Sequence, residues 1–444
     1  MDNNIGSAFL ETLLTTERMP EDEIVAHQAD LLSRLYHHAV TEVEVYRHRP
    51  PPPLSLDPTS LFWRDQPFVT RDQLAAGLDL FCARNVPENH GGFVRWNSGG
   101  STGRAVSRLA TSLESLARTI AFYRALGAWH YDYSNPLLLI RTDEFAKHFD
   151  DMVDKGDSNS CWQLPAYFGH KDPAAQQFLN IRSAPSEQLA KIIEVAPANI
   201  NTFPSNLLRL ALEARRHDPQ PIIPIVISVA EYLAPEIRIL TERTFGSRII
   251  DVLSSAEAGI IAIQCPYSSL YHIQSELVLV EIIGVNGKLC RTGEIGELVV
   301  TPLYNYASPL LRYRTGDYVE CGPQCPCGRT LPTISKFVGR REHMFNFPDG
   351  RDALPNIDRI RITELIGHDA WAFVQTEKRR SELRVARFCH TQFADQLTSL
   401  LKECTGGNFE VEIVSVDELP LTAGAKRHFT LNAYRRSGVS PSVG

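Results

Sequence analysis

Long apolar runs are missing from this chain of 444 residues, and no stretch approaches the roughly 18 to 20 apolar residues of a membrane span. Basic blocks are missing too: 45 Lys and Arg stand against 52 Asp and Glu, a net charge of −7, which excludes the charge pattern of a dedicated nucleic-acid binder. The first residues show no basic stretch followed by an apolar one, so we expect no secretory signal. We therefore expect a soluble, cytoplasmic protein that binds neither nucleic acid nor membrane.

The composition that is present is that of an ordinary globular protein, with 43% hydrophobic and 22% charged residues. The length is sufficient for two or three domains and a large buried core. Nine cysteines are an odd number, and an intracellular location favours free thiols or metal ligands over disulfides. The cysteines therefore need to be interpreted by their positions.

Strand and helix patterns alternate through the first two thirds of the chain. Apolar spacing of three and four predicts a helix at 113–130, and a short apolar run predicts a strand at 136–140. A second set predicts a strand at 222–229, a helix at 235–245 that ends before Gly246, and a strand at 249–253. The order strand, helix, strand implies parallel pairing with helices covering the sheet.

The pattern of predicted elements changes after residue 270. Strands separated by turn residues, at 277–283 and 297–303, predict an antiparallel or mixed β region up to about residue 340. The remaining residues carry a separate mixture of elements, with strands at 371–375 and 409–415 and an amphipathic helix at 392–403. This predicts a second, smaller domain, so that the chain divides into 1–340 and 341–444.

The first chemical motif is the stretch SGGSTGR at residues 98–104. Its three glycines permit a close backbone approach, and its hydroxyls and amides can donate hydrogen bonds to phosphate oxygens. It is not a Walker P-loop, because the ending Gly-Lys-Ser/Thr is absent. Arg104 could add a positive charge. The alternative reading is a polar surface turn.

The second motif is YRTGD, which ends at Asp317. A carboxylate held by a glycine turn is suited to accept hydrogen bonds from two vicinal hydroxyl groups, because an ionised carboxylate only accepts. Taken alone, the motif is also compatible with a simple turn.

In combination, these motifs resemble the adenylate-forming enzymes, and within them the phenylacetate–CoA ligase-like branch. Six segments occur in the order of that family: SGGSTGR, the stretch DVLSSAE that ends at Glu257, GEIGELVVT at 293–301, RYRTGD, GRRE at 339–342, and LPLTAGAK that ends at Lys426. The resemblance implies an α/β fold with a large N-terminal adenylate-forming domain of mixed and parallel sheets, helices and a β subdomain, and a small mobile α+β C-terminal domain.

The resemblance also implies an activity and a set of site residues. A carboxylic acid would react with ATP to give an acyl-adenylate, and then form a thioester with CoA. Lys426, Glu257 and Arg104 would be catalytic, with Glu257 contacting Mg²⁺, and Glu342 would be the hinge residue. The implied nucleotide-binding residues are Ser98, Gly99, Gly100, Ser101, Thr102, Gly103, Ala230, Glu231, Ser254, Ser255, Ala256, Asp317 and Arg340.

Several positions depart from the family pattern. Leu253 stands where an aromatic residue usually stacks on adenine, and Ala425 replaces the glycine before the lysine. Ala230 lies in a segment that is commonly glycine-rich. Two alternatives therefore stay open: adenylation followed by transfer to a carrier-protein thiol or an amine, and a non-catalytic nucleotide-binding homologue. Self-association as a homodimer is also left open.

A third signal comes from cysteine and histidine. Three thiols and an imidazole, from Cys265, His272, Cys325 and Cys327, suit a tetrahedral structural Zn²⁺ site, and members of the resembled branch carry a similar set. Cys321 and Cys290 are alternative thiol ligands. The alternative is a group of reduced, unliganded cysteines. The segments that approach the acid in the resembled family contain aromatic residues, which would suit an aryl or otherwise apolar acid. The implied pocket residues are Trp162, Tyr167, Phe168, His170 and Phe203.

Overall fold

The computed structural model describes residues 3–97, 106–143, 176–388, 391–422 and 424–436. Its α-helices are α1 Asn3–Thr16, α2 Glu21–Glu42, α3 Leu61–Arg64, α4 Arg71–Ala76, α5 Ser112–Ala128, α6 Pro185–Val195, α7 Pro204–Ala214, α8 Pro235–Phe245, α9 Arg359–Ile366, α10 Ala394–Cys404 and α11 Ala433–Arg436. Short 3₁₀ helices cover Glu44–Tyr46, Leu78–Phe81, Glu88–His90, Arg341–His343 and Thr391–Phe393.

The strands of the larger part of the chain are β1 Phe93–Asn97, β2 Ser107–Thr111, β3 Leu137–Arg141, β4 Gln176–Asn180, β5 Asn199–Thr202, β6 Ile225–Val229, β7 Arg248–Ser255, β8 Gly259–Gln264, β9 Tyr271–Ile273, β10 Val278–Ile283, β11 Ile295–Pro302, β12 Tyr313–Cys321 and β13 Thr333–Arg340. The strands that follow are β14 Phe345–Asn346, β15 Asp352–Ala353, β16 Trp371–Gln375, β17 Arg380–Ala386, β18 Glu410–Val416 and β19 Thr430–Asn432.

Local sequence accounts for several of these boundaries. Helix α8 begins with Pro235, which needs no amide donor in the first turn, and ends at Gly246, which adopts the left-handed conformation with φ +65°. Helix α4 begins after Thr70, whose side chain forms a capping box with Gln73. These signals place α8 within the bounds that the sequence predicts.

Among the described residues, eleven strands form one mixed sheet in the order β10-β11-β12-β13-β9-β8-β7-β6-β5-β3-β4. Neighbouring strands from β4 to β7 pair in parallel, and those from β7 to β10 along the sheet pair antiparallel. The α/β fold class is confirmed. The β region expected at 270–340 is continuous with the parallel strands, because β8 and the three-residue strand β9 connect them.

The part of the chain after Arg340 contains a four-stranded sheet in the order β18-β17-β16-β19. Trp371 and Phe373 from this sheet lie in the same buried apolar cluster as Leu208 of α7 and Phe245 of α8. The two sheets are thus joined by an apolar contact, and residues of both line the cavity described next. Among the helices that the structure describes, none is both long and apolar enough to cross a membrane.

Candidate active site

A cavity of about 380 Å³ lies between the eleven-stranded sheet and the residues that follow Arg340. Its wall includes residues of the predicted motifs from both parts of the chain, up to Arg340 and after it. The predicted site residues in that wall are Ala230, Glu231, Ser254, Asp317, Arg340 and Lys426. These residues are separated by up to nearly two hundred positions in the chain, and the fold brings them to one place. The cavity is therefore the candidate site.

Lys426 reaches into this cavity from the loop before β19. Its Nζ donates a hydrogen bond to the carbonyl oxygen of Ala230 at 2.8 Å, and its backbone amide donates to Thr422 Oγ1 at 3.0 Å. Burial, with a smaller contribution from the neighbouring Arg340, lowers the pKa of Lys426 from its ordinary value of 10.5 to about 8. The amine is thus partly desolvated and directed toward the large sheet.

Asp317 and Arg340 also line the cavity. They are paired residues on the antiparallel strands β12 and β13, and Arg340 Nε donates to Asp317 Oδ1 at 2.9 Å. Gly316, with φ +77°, permits the turn in the backbone before the aspartate. The carboxylate raises the pKa of the Arg340 guanidinium, which stays charged. The predicted ribose-binding carboxylate is therefore held in a fixed orientation by a predicted partner.

Glu231 connects the lysine loop to helix α7. Its carboxylate accepts hydrogen bonds from the backbone amide of Ser205 at 2.8 Å, from Ser205 Oγ at 3.1 Å and from the backbone amide of Arg427 at 3.2 Å. Burial raises the pKa of Glu231, although these hydrogen bonds oppose the shift. The neighbouring Ala230 has φ +70°, a conformation that favours glycine. The structure thus retains the backbone of a glycine-rich segment without its glycine.

The predicted magnesium ligand, Glu257, follows β7 and is buried. Its Oε1 accepts a hydrogen bond from Arg71 Nη1 at 2.8 Å and one from the Tyr313 hydroxyl at 3.3 Å. Among the described residues, none donates a hydrogen bond to Oε2. A buried carboxylate with an oxygen that receives no hydrogen bond from the described residues fits a magnesium ligand. Sequence reasoning did not identify Arg71, which carries no motif.

The other residues of the strand-end segment have different surroundings. Ser255 Oγ accepts the amide of Ala258 at 2.9 Å, and the carbonyl of Ala256 accepts Arg108 Nε at 2.5 Å. Ser254 lines the cavity. Ser255 and Ala256 thus make contacts that fix the backbone around Glu257, whereas Ser254 faces the space where a ligand would lie.

Glu342, at the predicted hinge position, lies in a cluster with two histidines. Its Oε1 is 3.4 Å from His343 Nε2, and the His343 ring lies 4.7 Å from the His428 ring. Burial favours the neutral form of Glu342. The interactions with His343, Arg340 and His428 outweigh burial and lower the pKa of Glu342. Burial lowers the pKa of His428 to about 3. The segment that carries Glu342 therefore contacts the segment that carries Lys426.

The four predicted zinc ligands meet outside this cavity. One ligand atom from each of Cys265, His272, Cys325 and Cys327 can be chosen so that all lie within 4.8 Å of one another. Cys325 Sγ is 3.7 Å from Cys265 Sγ, and Cys327 Sγ is 3.3 Å from His272 Nε2. Ligands at tetrahedral Zn²⁺ with Zn–S bonds near 2.3 Å require two sulfurs to lie about 3.8 Å apart. The donor set and spacing fit zinc.

A basic residue contacts this Cys/His cluster. Arg329 Nη1 lies 3.8 Å from Cys327 Sγ, and its Nε donates to Glu17 Oε2 at 2.9 Å. Glu17 follows helix α1, so this contact connects the start of the described chain to the cluster. Burial lowers the pKa of His272 to about 4, with Arg329 contributing, and the imidazole is neutral at pH 7.

The remaining predicted site residues fall into two groups. Phe203 is a buried residue just before α7, with the Arg141 guanidinium 4.9 Å from its ring centroid, and it is absent from the cavity wall. The others lie outside the described residues: Ser98, Gly99, Gly100, Ser101, Thr102, Gly103, Arg104, Trp162, Tyr167, Phe168 and His170. The phosphate loop and most of the acid pocket thus stay predictions from sequence.

The chain is similar in sequence to known proteins over part or most of its length. No family model matches the chain. A phenylacetate-coenzyme A ligase of Pseudomonas putida is 31% identical over 169 residues, which is 36% of this chain and 37% of that ligase. Protein CapK of Staphylococcus aureus is 21% identical over 382 residues, covering 82% of this chain and 79% of CapK. The chain therefore matches little more than a third of the length of that phenylacetate-coenzyme A ligase.

Solved structures match over almost the whole chain. A crystal structure of 2-hydroxyisobutyryl-CoA ligase in the postadenylation state, in complex with 2-HIB-AMP, has a TM-score of 0.69 and 17% identity, and the match covers 95% of this chain and 91% of that one. The same ligase in the thioesterification state, with CoA, has a TM-score of 0.60. The fold is that of the adenylate-forming CoA ligases. Together with the partial identity to phenylacetate-coenzyme A ligase, this confirms the resemblance to the phenylacetate–CoA ligase-like branch.

Proposed function

We propose that this protein is an ATP-dependent acid–CoA ligase that forms an acyl-adenylate and then an acyl-CoA thioester. The observation that carries this proposal is the meeting of Lys426, Asp317 and Arg340 in the wall of one cavity. A buried amine and an oriented carboxylate, both in the wall of a space about 380 Å³ in volume, suit the phosphate and ribose of a nucleotide. The similarity to CoA ligases supports the same activity.

In the first step, a carboxylate oxygen of the acid attacks the α-phosphorus of ATP. The bond from that phosphorus to the bridging oxygen breaks, and pyrophosphate leaves with the electron pair. Negative charge develops on the phosphoryl oxygens, and the Lys426 ammonium would neutralise it. Asp317 would accept hydrogen bonds from the ribose hydroxyls while Arg340 fixes its orientation. Ser98, Gly99, Gly100, Ser101, Thr102, Gly103 and Arg104 would hold the phosphates.

Glu257 would hold Mg²⁺ through the oxygen that no described residue contacts. When bound, the ion would supply positive charge to the phosphates and favour release of pyrophosphate. Arg71 and Tyr313 orient the Glu257 carboxylate from its other oxygen. The protein thus holds the metal-binding group in place before the nucleotide arrives.

In the second step, the sulfur of CoA attacks the acyl carbon of the adenylate. The carbon–oxygen bond to AMP breaks, the thiol proton goes to solvent, and AMP leaves. A carrier-protein thiol or an amine would attack the acyl carbon in the same way and release AMP. We place the domain boundary after Arg340, with 1–340 binding nucleotide and acid and 341–444 rotating about Glu342 between the two steps.

The acid and the metal cluster complete the proposal. We propose that the acid is aryl or otherwise apolar, because the segments implied to approach it carry Trp162, Tyr167, Phe168, His170 and Phe203. We assign a structural Zn²⁺ to the Cys/His cluster, because its three thiols and one imidazole leave no position for a substrate. Zinc would connect the end of β8 to the loop before β13 and stabilise the middle of the sheet, where β13, β9 and β8 are neighbours.

The test is release of pyrophosphate from MgATP, measured across a panel of aryl and aliphatic acids with and without CoA. The proposal expects release that depends on the acid and a thioester product when CoA is present. Adenylate that accumulates without reacting with CoA would favour a carrier protein or an amine as acceptor. Absence of release with every acid, from protein that binds ATP, would favour the non-catalytic alternative.

A further inference from the structure

A leucine stands at the position where the resembled family carries the aromatic residue that stacks on adenine. Leu253, at that position in β7, lines the cavity together with Asp317 and Lys426. An aliphatic side chain can cover a purine ring, but it provides no π surface for stacking. A nucleotide held by Asp317 would therefore need another aromatic surface if its base is to be stacked.

Two aromatic rings in the cavity wall offer such a surface. Tyr232 and Phe337 lie with their ring centroids 5.7 Å apart and an angle of 29° between the ring planes. Both rings line the cavity, and both are partly exposed. Tyr232 packs against the buried apolar cluster that contains Leu208, and Phe337 packs against a second buried apolar cluster. The ring pair therefore joins the two clusters at the cavity.

The position of this ring pair agrees with the nucleotide groups assigned above. Phe337 lies on β13, the strand that ends at Arg340, and Arg340 is bound to Asp317. Tyr232 follows Glu231 in the segment whose Ala230 carbonyl accepts Lys426. Each ring is thus carried by a segment that also carries residues assigned to the nucleotide, and both rings line the same cavity as those residues.

Two other rings in the wall are less suited to stack on a base. Phe429 is only 7% exposed and packs against the Trp371 ring with centroids 4.6 Å apart. Tyr271 donates its hydroxyl proton to Asp251 Oδ2 at 2.7 Å, which fixes the ring. The stacked pair is the better candidate.

We propose that Tyr232 and Phe337 form the surface on which the adenine ring packs, and that they replace the aromatic residue lost at Leu253. The inference rests on the proposed function, because it requires ATP in this cavity. It assigns the two rings a role in nucleotide affinity and base preference, and none in the chemical step.

The experiment measures binding of MgATP and of magnesium tripolyphosphate, which lacks the base and ribose, to the full chain by calorimetry. The variants are Tyr232→Leu and Phe337→Leu, which keep an apolar side chain and remove the ring. We expect each to bind MgATP about tenfold more weakly while binding tripolyphosphate as the parent does. Adding Leu253→Tyr to Tyr232→Leu should restore most of the lost affinity.

The matched control is Phe347→Leu. Phe347 packs against the Phe409 ring, with centroids 5.2 Å apart, and is absent from the cavity wall. It should leave both affinities unchanged. Thermal unfolding of each variant checks that it is folded.

The outcomes separate the inference from the proposed function. Unchanged MgATP binding in both leucine variants would overturn the inference, as would equal weakening of MgATP and tripolyphosphate. A parent protein that binds no MgATP would instead overturn the proposed function, and the inference with it. Selective weakening of MgATP with rescue by Leu253→Tyr would establish the aromatic surface.

Discussion

Arg71 and Glu257 lie 186 positions apart and form an ion pair with 2.8 Å between Nη1 and Oε1. Both side chains are largely shielded from solvent, with 19% and 6% exposure. The carboxylate that we assign to Mg²⁺ is therefore already partly neutralised by a cation of the protein. A metal ion at Glu257 must share this carboxylate with Arg71.

This pairing makes Arg71→Gln a test of the metal site. Removing the guanidinium leaves Glu257 with only the Tyr313 hydroxyl as a partner among the described residues, and an uncompensated carboxylate attracts a cation more strongly. We expect the Mg²⁺ concentration for half-maximal pyrophosphate release to fall about tenfold. This factor corresponds to about 1.4 kcal/mol in the free energy of Mg²⁺ binding. Arg47→Gln is the control, because Arg47 pairs with Glu44 at the surface. An unchanged Mg²⁺ requirement would contradict the assignment of Glu257.

Lys426→Ala tests the division of chemistry between two steps. The ammonium is placed to neutralise charge in adenylation, and removal of one such group typically costs about 10²- to 10³-fold in rate. We expect acid-dependent pyrophosphate release to fall by that factor, while transfer from a supplied acyl-adenylate to CoA is spared. Lys402→Ala, at an exposed position of α10, should change neither rate. Pyrophosphate release at the parent rate would eliminate the assigned role.

The pH dependence of adenylation should reflect the same amine. Burial lowers the pKa of Lys426 to about 8, so the charged form is lost as the pH rises through 8. We expect the adenylation rate to decline above pH 8, and Lys426→Arg, although slower, to lose that decline because arginine stays charged. The rates are measured from pH 6 to about 10. A parent profile that is flat across this range would contradict a role for the Lys426 charge.

The helices and strands that could be predicted are those whose ends carry characteristic residues such as proline and glycine. The helix at 235–245 has proline at its start and glycine at its end, and its bounds agree with the structure. Strand β9, Tyr271–Ile273, has three residues and no such marks, yet it joins the antiparallel strands to the rest of the sheet. Its pairing depends on long-range contacts, which a local pattern does not contain.

The site was predictable to a different extent for each residue. Lys426 and Asp317 were identified through motifs, and the cavity wall contains both. Arg71 was missed, because its importance comes from a contact with Glu257 and nothing in its neighbourhood distinguishes it from a surface arginine of a helix. Tyr232 and Phe337 were missed for the same reason, since only the fold brings these two rings together.

The Cys/His cluster can be tested by metal content and stability. If the cluster holds Zn²⁺, purified protein should contain one equivalent, and Cys325→Ser should reduce this below about half, because a tetrahedral site loses most of its affinity with one ligand. The same variant should unfold at a lower temperature. Cys82→Ser is the control, because Cys82 is not part of the cluster. Full stability after removal of all metal by a chelator would favour unliganded thiols.

Gly339→Ala tests the packing between the two parts of the chain. Gly339 precedes Arg340 and has φ +121°, and an added Cβ would lie 2.6 Å from Leu354 Cδ1. Gly293→Ala is the control, because Gly293 also has a positive φ, +83°, but has no atom within 4 Å of an added Cβ. We expect Gly339→Ala to lower the free energy of unfolding in urea by about 1–3 kcal/mol more than Gly293→Ala. Equal losses would mean that backbone strain alone matters at Gly339, and that the contact with Leu354 adjusts without cost.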